Sequence, residues 1–195
     1  MKKILFALLL LALCGSLVYA DEFNINVEYG MASDISATFG GVKIIHNDPG
    51  GLGIGVSYFA PINERVEIGG GATFFLPKTI KGGSVGGFPF IITTDANFSY
   101  LPVFGRIKFI PRPDSNAKFY VGGDLRYAIM SVSGAYFAGS SVQGGLGFGL
   151  FGGVKIEGFL VELGYIMQNG TLEIGGSKSD FTDNYIYLKG GYSIL

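Results

Sequence analysis

Eight stretches of this 195-residue chain alternate apolar and polar residues with a period of two, and together they occupy nearly everything after residue 20. They run roughly Glu22 to Met31, Leu52 to Ala60, Arg65 to Leu76, Tyr100 to Ile110, Lys118 to Met130, Leu146 to Ile156, Phe159 to Gln168 and Tyr185 to Ile194. Strict alternation places the apolar residues of a strand on one face. Each stretch is close to the roughly 9 to 11 residues that a tilted strand needs to cross a bilayer, or slightly longer. The connections alternate too. Short ones (61–64, 111–117, 157–158) follow the even strands, and long ones (32–51, 77–99, 131–145, 169–184) follow the odd strands. An up-and-down meander therefore gathers the tight turns at one end and the long loops at the other. That is the arrangement of an outer-membrane barrel with short periplasmic turns and long extracellular loops.

A soluble barrel with an apolar inside alternates as well, so the two faces must be told apart by size. One set is bulky and uncharged throughout, as in Phe23, Ile25, Val27 and Tyr29, or Phe159, Val161, Leu163 and Tyr165. The other mixes glycines (Gly53, Gly55, Gly69, Gly71, Gly122, Gly147, Gly149, Gly153, Gly164 and Gly191) with charges and a few aromatics. Eight strands enclose an interior just wide enough for side chains to fill. The glycine-rich set fits there and the bulky set does not, so the bulky set faces lipid. Tyr29, Tyr58, Tyr127 and Tyr165 are expected as a girdle at the loop end, and Phe109, Phe119, Phe159 and Tyr192 as a second at the turn end.

The charges on the inward parity are Glu28, Glu67, Asp124 and Glu162 against Arg106, Lys108, Lys118, Arg126, Lys155 and Lys189. In a narrow lumen they must pair, because an unpaired buried charge is costly. They form either a structural salt-bridge network that plugs the barrel or, as the alternative, the lining of an ion path. Glu67 and Lys118 are placed near the periplasmic rim.

Residues 1–20, with two lysines, an apolar run and small residues at Val18 and Ala20, read as a secretory signal peptide, leaving a single barrel domain over 21–195. The only cysteine, Cys14, lies within that peptide, so the exported chain is expected to lack disulfide and thiolate chemistry. Charged residues are 15% of the sequence, against about 25% in a typical soluble domain. With a net charge of −1 and no basic run, nucleic acid is excluded as a partner.

The opening strand, "ERVEIGGGATFF", "YLPVFGRIKF" and the final "YIYLKGGYSIL" resemble the small outer-membrane β-barrel superfamily, which includes the OmpA transmembrane domain, the OmpX and Ail group and the opacity-type barrels. The resemblance covers residues 21–195 and rests on pattern. It implies an all-β, eight-stranded antiparallel up-and-down transmembrane β-barrel in the outer membrane, a monomer among outer-membrane lipid and lipopolysaccharide, delivered by periplasmic chaperones and the assembly machinery. The chain ends Tyr192-Ser193-Ile194-Leu195, where such proteins usually end in an aromatic residue. Pro102 forfeits a ladder hydrogen bond and is expected near a strand end or an irregularity.

Catalytic chemistry has few candidates. The sole histidine, His46, lies in the first long loop, with Asp95, Ser84 and Ser99 as conceivable companions for a lipid A-modifying enzyme, but no adjacent Asp-Ser pair lies in a long loop, Asp114-Ser115 falling in a periplasmic turn. Glycine-rich stretches such as "GGLGFGLFGG" precede no helix and so do not cradle phosphate. Loop carboxylates are too scattered for calcium and zinc lacks ligands, so no catalytic, cofactor or metal site is expected. The sequence thus predicts a structural or loop-presenting barrel with a packed polar lumen. The alternatives are a narrow channel for small solutes, an adhesin that binds an extracellular protein through its loops and, last, the enzyme.

Overall fold

The structure, a computed structural model, describes residues 22–94, 96–174 and 176–194. The signal-peptide expectation, Asp95 and Leu195 lie outside the described residues. Strands run β1 Glu22–Gly30, β2 Ser33–Phe39, β3 Val42–Asp48, β4 Gly51–Asn63, β5 Val66–Thr79, β6 Gly82–Val85 and β7 Phe88–Ile91. They continue β8 Asn97–Phe109, β9 Ala117–Ser133, β10 Ser140–Ile156, β11 Phe159–Ile174 and β12 Ser177–Ser193, with a 3-10 turn at Ala135–Phe137 between β9 and β10. Eight of them close a ring in the order β1, β4, β5, β8, β9, β10, β11, β12, every neighbour antiparallel, with β1 returning to β12.

The outward set is the bulky apolar one. Ile54, Phe119, Val121, Leu150, Phe159 and Leu163 are each at least half exposed, which only a lipid surround makes favourable for so many neighbours. Tyr58 departs from the expected girdle. It pairs with Phe23 near the turn end, so it joins the ring of Phe109, Phe119, Phe159 and Tyr192. Pro102 lies mid-strand in β8, buried and opposite Ala128 of β9, at an irregularity as expected. The ladder between β5 and β8 passes from Ala72↔Val103 to Phe75↔Tyr100 with no β8 partner at Thr73 or Phe74, the place where the missing N–H would have been used.

The inward glycines have a specific partner. In directly opposed pairs, Gly69 lies under Phe59, Gly122 under Phe151, Gly153 under Tyr120, Gly164 under Tyr187 and Gly170 under Phe181. A Cβ at Gly153 would stand 2.6 Å from the Tyr120 ring, and one at Gly170 2.5 Å from that of Phe181. Each ring therefore lies flat against its neighbour's backbone, which lets large aromatics fit a lumen of eight strands. Gly164→Val drives a branched side chain into the buried Tyr187 ring and is expected to cost about 2 kcal/mol of stability, read as a lower urea midpoint for the detergent-folded barrel.

The long connections are mostly strand. β9 to β12 rise well beyond the lipid-facing belt, whose outward residues on the last two strands end at Met167 and Ile186. The first and second loops fold into the β2–β3 and β6–β7 hairpins. β2 takes the place of β1 beside β12, through Ile35↔Asp183 and its neighbours, and β3 and β6 follow in the same sense. The wall thus restarts above the membrane and forms a second, extracellular tier ending at β7, whose far edge has no strand partner among the described residues.

This tier corrects the expectation of a polar interior from end to end. Its inside is packed with Ile35, Ile80, Phe98, Met130, Phe137, Leu172 and Phe181, continuous below with Phe75, Tyr100 and Tyr185. The large ionic groups lie in the turn-side half, while the loop-side half adds only a smaller polar set, with Asp48, Lys78, Asp183 and His46 set among the apolar side chains. In the sequence Phe98, Tyr100 and Phe181 fall in loops or at a strand edge, because tall strands beyond the membrane keep the period of two but add polar residues on the outer face.

Candidate functional site

The turn-side lumen holds two ionic groups. In the upper one, Arg106 on β8 reaches across to Glu162 on β11 through Nη1, at 2.9 and 3.1 Å from the two carboxylate oxygens. Its Nη2 donates to Asp124 at 3.1 Å and to the Tyr187 hydroxyl at 2.8 Å. Arg126 grips the same Asp124 with Nε at 2.9 Å and Nη2 at 2.7 Å, the fork geometry that suits a guanidinium to a carboxylate. Lys189 stands 3.0 Å from Glu28 and 3.5 Å from Glu162, and both are its direct cross-strand neighbours. Three cations thus meet three carboxylates, all at most 6% exposed. Tyr187 and Tyr120 also donate to Glu162, at 2.7 and 3.3 Å.

The lower group ties the periplasmic rim. Glu22 accepts Lys108 at 3.0 Å from one side of the ring and Lys155 at 2.8 Å from the other, while Lys108 also meets Glu67 at 3.3 Å. Lys108 lies 3.3 Å from the centroid of the Phe59 ring, a contact that stabilises a partly dehydrated ammonium. Charge again balances, two against two.

Of the residues named from sequence, Glu28, Arg106, Asp124, Arg126, Glu162 and Lys189 come together in the upper group and Glu67, Lys108 and Lys155 in the lower. Lys118 is not brought in. It is directly opposite Lys155 and exposed, and like charge on its cross-strand neighbour turns it outward at the rim. Glu22 was missed, although it shares the inward parity of Asn24 and Asn26; as the first residue of its strand it carried no periodicity of its own. Asn26 is 1% exposed and its amide atoms have no hydrogen-bond partner, so between Glu22 and Glu28 the β1 wall is polar but uncharged.

At the extracellular end His46 is buried, its Nε2 3.0 Å from the Tyr136 hydroxyl and its ring edge-on to Phe90 and Tyr136. It joins β3, the β6–β7 hairpin and the β9–β10 turn. Burial lowers its pKa below the usual 6.5. Ser84 pairs with Ile45, the neighbour pointing to the opposite face, and Ser99 belongs to the outward parity of β8, so neither meets His46. Among the described residues no group of three metal-ligating side chains gathers.

A closed ring of eight antiparallel strands, apolar outside and ionic within, defines a transmembrane β-barrel. No family model and no curated protein matches the chain. The crystal structure of the outer membrane protein OprG from Pseudomonas aeruginosa is similar, with a TM-score of 0.53 at 16% identity, over 90% of this chain and 97% of that one. Neisserial surface protein A follows at TM-score 0.45 and 15% identity, over 87% and 96%, and Ail of Yersinia pestis at 0.43 and 14%, over 89% and 98%. The OprG likeness fixes the fold: this chain has the architecture of small outer-membrane β-barrels.

Proposed function

We propose that the chain is an integral outer-membrane protein with a closed lumen, structural in role and presenting its extracellular tier, and neither a channel nor an enzyme. It is exported by its signal peptide, handed by periplasmic chaperones to the assembly machinery and inserted as a monomer among outer-membrane lipid and lipopolysaccharide. The observation that carries this reading is the double closure: Arg106 spans the lumen to Glu162, and an apolar tier is stacked above it. An aqueous path would have to break both. In planar bilayers the reconstituted barrel is expected to give no discrete conductance, and steady openings would overturn the closed-lumen reading.

A loop-borne protein interaction is favoured by one feature. On the β6–β7 hairpin Phe88 is 79% and Ile91 83% exposed, far more than a tip needs. Pro89 removes an N–H from the free edge of β7, which disfavours strand addition and leaves side-chain contact as the mode. Phe88→Ser with Ile91→Ser is expected to abolish adhesion of barrel-bearing cells to an extracellular protein matrix without altering the barrel's gel mobility. Equal adhesion of the variant would remove this reading.

A further inference from the structure

The outer wall of a closed barrel is ordinarily convex, yet over β10, β11, β12 and β2 it is hollow. A cleft of about 510 Å³ opens there, lined by Ser36, Thr38, Asn169, Thr171, Asp180 and Thr182 over a glycine floor that includes Gly145. The size is that of a ligand cleft. Its shape follows from the register: β10 slips against β11 between Gly144 and Gly147, and β2 replaces β1 beside β12 at the same height.

We infer that this cleft binds the sugar headgroup of the glycolipid that surrounds the barrel in the outer leaflet. The inference rests on the outer-membrane reading above and adds a site to it. Chemistry selects the class. The six side chains offer hydroxyls, one amide and one carboxylate, a mixture of donors and acceptors that matches vicinal hydroxyl groups, and no lysine or arginine lines the cleft to favour a bare phosphate or sulfate. The groups are already oriented, with Thr171 donating to Asp180 at 3.0 Å and the Ser36 and Thr182 hydroxyls 3.3 Å apart. Position selects the source. Asn169 follows lipid-facing Met167 by two residues and Thr182 lies four residues from lipid-facing Ile186, so the cleft begins about 7 Å along the tilted strands beyond the apolar belt, at headgroup height and continuous with it.

Thr171→Val with Thr182→Val keeps shape and strand preference while removing two hydroxyls from an exposed surface. Purified from outer membranes in mild detergent, the double variant is expected to retain about tenfold less glycolipid than the wild type at unchanged gel mobility. Threonine methyl resonances of the wild-type barrel in phospholipid nanodiscs should shift on adding deacylated lipooligosaccharide, and not on adding maltohexaose or inorganic phosphate. Undiminished glycolipid on the variant overturns the site, and equal shifts with maltohexaose overturn its assignment to the membrane's own glycolipid. Recovery of the wild-type chain in the soluble fraction would instead sink the outer-membrane reading, before any variant is compared.

Discussion

Glu162→Gln is expected to lower the unfolding free energy of the detergent-folded barrel by about 3–5 kcal/mol, the cost of leaving a buried charge without its partner. The Glu162 carboxylate is the point where β8, β9, β11 and β12 meet: it accepts from Arg106, Tyr120 and Tyr187 and lies 3.5 Å from Lys189. Without it three cations face only Asp124 and Glu28. Arg106→Met leaves the opposite excess, and a similar loss follows. The double variant should lose far less than the two losses added, no more than about 2 kcal/mol. What remains is Arg126 with Asp124 and Lys189 with Glu28, two intact pairs, while Met takes the place of a guanidinium held 4.2 Å from the Phe151 ring centroid and 4.8 Å from that of Phe104. Urea titrations followed by gel mobility measure all three. Additive losses would mean that the charges are solvated individually, and the closed-lumen reading would fall with them.

Membrane orientation was legible in the sequence because a period of two and a size difference between faces are properties of single residues. The charge network was legible for the same reason in parity, but not in pairing. Arg106 to Glu162 and Glu22 to Lys108 and Lys155 each cross the ring, and no sequence spacing encodes a distance across a lumen. The cross-strand pairs Glu28 with Lys189 and Arg106 with Asp124 depend on register, which the turns fix: the two-residue Glu157-Gly158 turn, with both residues at positive φ, sets β10 against β11. The extracellular tier escaped for a different reason. Stretches such as "KGGSVGGFPFIITTDANFSY" look like loops by composition, and only pairing with β3 and with each other makes strands of 82–85 and 88–91. Tyr58 lies at the turn end because β4 runs from the long loop down to the short turn, which sets it opposite Phe23.

Acidification should loosen the extracellular tier through His46 and tighten it through Asp183, and the two can be separated. His46 is held neutral by burial, with Tyr136 the titratable side chain it touches and Asp48 two residues along its own strand, ion-paired to Lys78. Because the folded state takes up this proton less readily than the unfolded chain, the stability it confers is full above about 6.5 and is lost as pH falls below that. Asp183 lies above the apolar belt, between outward-facing Thr182 and Asn184, and accepts Ser33 at 2.6 Å. Burial, and then the neighbouring Asp48, raise its pKa from 3.8 to about 6. Its sign is therefore opposite: the folded state binds the proton first, so stability rises as pH falls from about 6 towards 3.8, by a total on the order of 3 kcal/mol. In the wild type the slopes partly cancel. Asp183→Asn removes one and is expected to unfold at lower urea concentration as pH drops from 7 to 5, with faster proteolysis of the 134–139 turn that carries Tyr136. His46→Phe keeps an aromatic ring against Phe90 and removes the other, and is expected to become more stable over the same range. Parallel pH profiles for the two variants would show that neither buried group senses the proton, and the tier would then be held by its apolar packing alone.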